Sequence, residues 1–430
     1  IVEKKLPEGL EVLLVPHHEQ QGLIAALQVP LGRFADPAGY EGLTELTVAL
    51  MQKGTETLDS EQFAEQLENM GYSLFSEGGE EHVTIGCKGL ARYAQEALSL
   101  FWDMVRKPGL LESELDMLKR ELSTALRAES NEPSSLAGKH FYSELFGNDH
   151  PAGRVHSVAS IKRIRIDTVR HRYESAFGPR GATLVVAGDF DLDSRPRWVE
   201  MFTWEKETHP ERVNLPWPAD RTGTVIRLVD KPDLTQTTIM LGHALPGEVH
   251  PERRELALAN YVLGGGNFSS RLMREVRSRM GKTYGISSQI STCRDIGVFT
   301  ISASTQNRFV EEMLRTVFDV YTTFGAEGVN EDEFDDAKRY AIGSMAFQLE
   351  GLGNLVDKLL WLKLYNRDTS YIERFAEFLQ EIDLDGVAAA VRRHFSNTNP
   401  VVVAVGNRRE IEKQLRGFGE VPVRHFRSPL

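Results

Sequence analysis

The residues best suited to chemistry in this 430-residue chain lie in its second half. There Leu263-Gly-Gly-Gly-Asn-Phe-Ser-Ser-Arg-Leu272 sets three glycines ahead of a basic segment. Gly264, Gly265 and Gly266 permit close backbone approach and positive φ. With Asn267 they leave amide N–H groups to meet a peptide chain, the alternative being a plain helix-to-helix turn. No Gly-Lys-Ser/Thr follows, so this is not a P-loop. Arg271, Arg274, Arg277 and Arg279 then crowd one helical stretch, which Gly281 can end. An alternating run starts at Tyr284 with Ile286 and Ile290 on its side, so Tyr284 stands at a strand entrance beside the helix end. The plain alternative makes Arg277 surface charge and Tyr284 core.

The first half offers less. Gly42-Leu-Thr-Glu-Leu-Thr-Val-Ala-Leu-Met-Gln-Lys-Gly-Thr55 reads as an amphipathic helix with Leu43, Leu46 and Leu50 as its apolar stripe. Glu45 is a single carboxylate there and would bind a divalent ion poorly without partners. Asp149-His-Pro-Ala-Gly153 reads as a turn, with His150 as a turn residue. Cys87 and Cys293 cannot make a disulfide framework or a thiolate zinc site. The formal net charge of −12 repels phosphate backbones and argues against nucleic-acid binding. No stretch approaches the roughly 18–20 uninterrupted apolar residues of a membrane span.

The elements that must position these groups look like one fold written twice. Arg180-Gly-Ala-Thr-Leu-Val-Val-Ala-Gly-Asp189 and Asn399-Pro-Val-Val-Val-Ala-Val-Gly-Asn407 each read as a short apolar strand entering a turn, and Val185 and Val402 stand 217 positions apart. Val83-Thr-Ile-Gly-Cys87 matches Phe299-Thr-Ile-Ser-Ala303 at an offset of 216, each followed by a helical pattern. Glu114-Leu-Asp-Met-Leu-Lys-Arg120 matches Glu333-Phe-Asp-Asp-Ala-Lys-Arg339 at 219. Three segments in one order at nearly one offset indicate a duplication. Between the halves, 205–220 is rich in Pro and charge and reads as a linker. Short strands at Leu10–Val15, Leu23–Val29, Val83–Cys87 and Leu184–Ala187, with blocks of helix between them, predict an α+β fold. Each half should be a mostly antiparallel sheet with helices packed on one face. With 41% hydrophobic residues the chain can fill such cores.

The segment Gly42 to Thr55 resembles the M16 (insulinase, or pitrilysin-like) metallopeptidase family, where an inverted zinc motif, His-x-x-Glu-His, precedes Lys-Gly-Thr. Aligned on Gly42 and Lys53-Gly54-Thr55, the two His positions fall on Glu45 and Ala49 and the general base on Val48. The third ligand falls near Thr124, Ala125 or Leu126. The resemblance therefore implies a degenerate site that holds no metal. It extends to the opening strand at Leu10–Val15, the helix Phe63 to Gly71, the His150 turn and the glycine-rich segment, which is similar to that of the alpha subunit of mitochondrial processing peptidase. It divides the chain into an N-terminal M16-like domain 1–207, a linker 208–222 and a C-terminal M16-like domain 223–430.

In the family an Arg and a Tyr seven residues apart reach the zinc site and hold the substrate carbonyl; here they match Arg277 and Tyr284. A guanidinium and a phenol are both donors and can stabilise a developing oxyanion. The resemblance thus implies a non-catalytic subunit of an M16B-type heterodimer that is inactive alone. Its partner carries His-x-x-Glu-His and the zinc, Arg277 and Tyr284 act in trans, and Gly264–Asn267 bind peptide in a closed chamber. The alternative is a purely structural protein of the same fold, like the core proteins of the respiratory bc1 complex. The chain opens on Ile1 rather than Met, and this, with few cysteines, fits a periplasmic location, cytoplasm being the alternative.

Overall fold

The computed structural model describes residues 1–192, 198–206, 208, 212–219, 221–280, 285–396, 399–428 and 430, with the side chains of 277–280 outside that description. Among the described residues, twelve strands form two six-stranded sheets. The first sheet uses β1 (Val2–Lys5), β2 (Glu11–Pro16), β3 (Gly22–Val29), β4 (Ser73–Gly78), β5 (Val83–Leu90) and β6 (Thr183–Gly188), in the order β1-β2-β6-β3-β5-β4. The second uses β7 (Val225–Asp230), β8 (Gln236–Pro246), β9 (Gly285–Thr292), β10 (Ile296–Gln306), β11 (Val401–Gly406) and β12 (Val423–His425), in the order β12-β7-β11-β8-β10-β9.

Five strands correspond one for one between the sheets, so the duplication read from the offsets is present in the topology. In each, a hairpin-rich antiparallel run ends in a parallel pair, β2 with β6 and β7 with β11. Strands running parallel need a long crossover, and here the whole helical block of each half supplies it. The outer strand differs: β1 pairs antiparallel with β2, whereas β12 pairs parallel with β7.

Alternation along the strands builds the cores. In β6, Leu184 and Val186 join a cluster with Phe63, Leu98, Phe101 and Trp102 from the helices of that half. The Trp102 ring lies edge-on to Phe202 at 5.1 Å and to Trp204 at 5.6 Å, and its Nε1–H donates to the Thr203 carbonyl. Such aromatic pairs add about 0.5–1.5 kcal/mol each beyond area burial. In the second sheet Val402 and Ala404 join Phe299, Leu314, Phe324 and Phe395.

The intervening residues of the central strands are buried too, Val185 and Ala187 in one sheet and Val401, Val403 and Val405 in the other. The helix Leu352–Leu364 packs on β6 and β3, and the helix Pro133–Phe146 packs on β11 and β8. Each comes from the opposite half of the sequence. The compact units accordingly comprise 1–126, 156–214 and 346–369 in one case, and 127–155, 215–345 and 370–430 in the other. The chain passes from the first unit's residues to the second's three times, after 126, after 214 and after 369.

Candidate functional site

The helix Leu43–Met51 is set in place by a buried carboxylate. Gly42, with φ of 97°, and Thr44 donate their backbone N–H groups to Asp36 Oδ2 and Oδ1 at 2.9 and 3.0 Å, and the Thr44 hydroxyl donates to Oδ1 at 2.6 Å. An acidic group at this point also suits the positive end of the helix. Arg172 donates to Asp36 and to the Ala35 carbonyl. Burial pushes the Asp36 carboxyl above its ordinary range, against the opposing pull of Thr44 and Arg172. After the helix, Gly54 takes φ of 118°, and a Cβ there would stand 2.5 Å from the Leu58 carbonyl oxygen.

On this framework the three zinc-motif positions have separate fates. Val48 is buried in the core of the first unit, Ala49 packs against that core, and Glu45 is exposed with His156 Nδ1 3.5 Å from its Oε2. Among the described residues, no helix 43–51 residue belongs to a group of three or more His, Cys, Asp or Glu whose ligand atoms lie within 4.8 Å. Thr124, Ala125 and Leu126 lie on the helix Glu112–Glu129, the first two exposed and the last buried. His150 accepts the Ala152 N–H at Nδ1, so its Nε2–H donates to the Pro216 carbonyl at 2.9 Å while the ring stacks on Phe146. Both nitrogens are used in holding the turn.

The glycine-rich segment is more specific than a flexible loop. The helix Arg253–Asn260 runs directly into a π-turn, Tyr261–Gly265, and the Gly266 N–H donates to the Tyr261 carbonyl at 2.8 Å. Such wide turns recur at functional sites because they displace backbone from a regular helix. A Cβ on Gly264 would lie 2.5 Å from Ser288 Oγ and 2.7 Å from Ser288 N, and one on Gly265 would lie 2.8 Å from Asn260 Nδ2. Close approach is thus what these glycines supply. Positive φ falls instead on Asn267, at 50°. The Ser288 hydroxyl on β9 donates to Asn260 Oδ1, and the Ser270 hydroxyl donates to the Asn267 carbonyl, at 2.7 Å each. Phe268 projects with 72% of its surface exposed, and Tyr261 stacks on Tyr340 at 4.5 Å.

The helix Arg271–Met280 follows. Arg271 meets Glu333 in a bidentate pair at 2.8 and 2.5 Å, and Arg274 adds a third bond at 3.1 Å. Burial alone would raise the Glu333 pKa, but the bonds from Arg271 and the Asn330 N–H hold it below the ordinary range. Two of the four arginines are therefore committed to fastening this helix onto Glu331–Gln348. Arg277 lies on the same helix, but its side chain, and the whole of Tyr284, lie outside the described residues. Among the described residues, no helix is long and apolar enough to cross a membrane.

The first half, 11–155, matches the model described as insulinase (peptidase family M16), and 163–340 matches that described as peptidase M16 inactive domain. The chain belongs to the M16 peptidase family. An uncharacterized zinc protease of Rickettsia felis is 26% identical to this M16 chain over 96% of it and 98% of the relative. A Helicobacter pylori protein called non-peptidase homolog YmxG is 23% identical over 86% of this chain and 85% of its own length. The crystal structure of a peptidase M16 inactive domain from Pseudomonas fluorescens superposes with a TM-score of 0.85 at 25% identity, over 94% of this chain and 98% of that one. The six-stranded sheets with their helices are two M16-type domains, and the chain's relatives include one that carries the non-peptidase description.

Proposed function

We propose that this M16 chain is the non-catalytic subunit of a heteromeric zinc metallopeptidase. The observation that carries the reading is the state of the helix Leu43–Met51. Its Asp36 anchor and Gly54 turn are intact while Val48, at the place of the general base, is core. A scaffold kept without its ligands fits a subunit whose zinc-bound nucleophile is supplied by a His-x-x-Glu-His partner. The partner's two His would hold a zinc that would supply Lewis-acid and water-activating chemistry. Arg277 and Tyr284 of this chain hold the carbonyl oxygen as negative charge develops on it. Gly264–Asn267 present a narrow backbone turn beside which an extended peptide lies, with Phe268 available to its apolar side chains.

One observation favours a second reading, a structural protein of the same fold. The tight packing of Gly264 against Ser288 and the internally bonded Gly266 N–H account for the glycines without a peptide. The two readings separate in one experiment: this chain is co-purified with a His-x-x-Glu-His M16 subunit and assayed on unfolded peptides. Under the peptidase reading the pair cleaves and Arg277→Ala lowers its kcat on the order of 100-fold. Under the structural reading cleavage does not depend on this chain.

A further inference from the structure

We propose that His250, Glu252 and His394 form a divalent-metal site of the zinc class, separate from the degenerate motif at Glu45–Ala49. Among the described residues these three form the one group of three or more potential ligands whose atoms lie within 4.8 Å of one another. His250 sits in the turn that enters the helix Arg253–Asn260, and Glu252 is the N-cap of that helix. His394 lies in the last turn of the helix Leu384–Phe395, which packs against it.

The donor set fits the ion. Two imidazoles and one carboxylate are a zinc combination, and a fourth position is left for water. Magnesium and calcium would ask for more oxygen ligands. The Glu252 N–H donates to His250 Nδ1 at 3.2 Å; ligation through Nε2 would move the ring proton to Nδ1 and release that long bond. His394 Nε2 stands 2.8 Å from Glu252 Oε2; on ligation its proton moves to Nδ1, as for any neutral imidazole ligand. The His394 and Glu252 side chains are only 13% and 20% exposed.

A second observation points the same way. Glu255, one turn along from Glu252, has a buried Oε2 without a hydrogen-bond partner, and its charge acts on His250. An unsatisfied carboxylate oxygen is costly to bury, and a nearby cation or its bound water would relieve that cost. Arg393 pairs with Glu252 Oε1 and is the competitor, but its side chain is 60% exposed and can swing away. A bound ion would clamp together the two helices, one of which leads straight into the glycine turn.

The test uses the full chain, freed of metal by chelator and titrated with zinc by calorimetry and with cobalt(II) by its visible absorption. Wild type should take up one equivalent more zinc than His394→Gln and than Glu252→Gln. Arg393→Gln should bind more tightly than wild type. Zinc should raise the thermal midpoint of wild type and leave that of His394→Gln unmoved. Matching metal-free midpoints and near-ultraviolet spectra will show that the variants are folded. Equal zinc uptake by wild type and His394→Gln, or magnesium binding as tightly as zinc, would overturn the proposal.

Discussion

Replacing Gly264 by Ala tests whether the glycine turn is held by close packing. The new methyl would sit 2.7 Å from Ser288 N, 2.5 Å from Ser288 Oγ and 2.8 Å from Leu272 Cδ1. The hydroxyl and the Leu272 methyl can rotate away, but Ser288 N belongs to β9, whose Ser288 is registered against Ile301 of β10. Ordinary contact begins near 3.4 Å, so backbone must move by about 0.7 Å, the kind of overpacking that costs roughly 1–3 kcal/mol. No positive φ enters, because Gly264 is not among the left-handed glycines. Gly343 is the control: it lies in the helix Glu331–Gln348 with nothing within 4 Å of its Cβ position. Gly343→Ala should stabilise by about 0.5–1 kcal/mol through helix propensity. Denaturant unfolding and calorimetry of both variants read the difference, at about 2–4 °C per kcal/mol for units of this size. A Gly264→Ala protein as stable as wild type would refute the packing argument.

Acid should weaken the second unit. The buried His243 accepts from the Tyr321 hydroxyl and donates to the Ala244 carbonyl, and burial pushes its pKa down to about 4. The unfolded chain takes up this proton near pH 6.5 and the folded one only near 4, so stability is full above 6.5 and falls by about 3 kcal/mol by pH 4. Urea midpoints at pH 7 and 4.5 should show this loss, and His243→Gln should flatten it. Glu333→Gln should cost about 1–3 kcal/mol by weakening its bonds with Arg271 and Arg274, and should lower peptide cleavage in a reconstituted pair by loosening the helix that bears Arg277. An unchanged unfolding midpoint would show those bonds to be idle. In the same pair, Arg277→Ala and Tyr284→Phe should each lower kcat on the order of 100-fold, with smaller changes in KM, as measured by steady-state peptide kinetics.

Much of the fold was legible because local patterns carried it. The expected strand Leu23–Val29 is β3 with one residue added, and Val83–Cys87 is β5 extended to Leu90. Matching segments at near-constant offset exposed the two M16 units before any coordinates. The packing of Pro133–Phe146 and Leu352–Leu364 was hidden, because periodicity says which face of a helix is apolar and not which sheet covers it. The glycines were expected to allow close approach and positive φ; they pack closely, but the positive φ falls on Asn267, whose side chain tolerates it. Asp36 lay outside the zinc motif and gave no signal, since only the fold brings it to Gly42 and Thr44. The cluster of His250, Glu252 and His394 was equally silent, its histidines being far apart in sequence and joined by helix packing.

As proposed above, this chain contributes donors, not metal-bound water, to peptide hydrolysis. The most direct test is cleavage of an unfolded peptide by the chain alone, by a His-x-x-Glu-His M16 subunit alone, and by the two together. Turnover is expected only in the mixture, falling on the order of 100-fold with Arg277→Ala. Zinc-dependent cleavage by this chain on its own would contradict it.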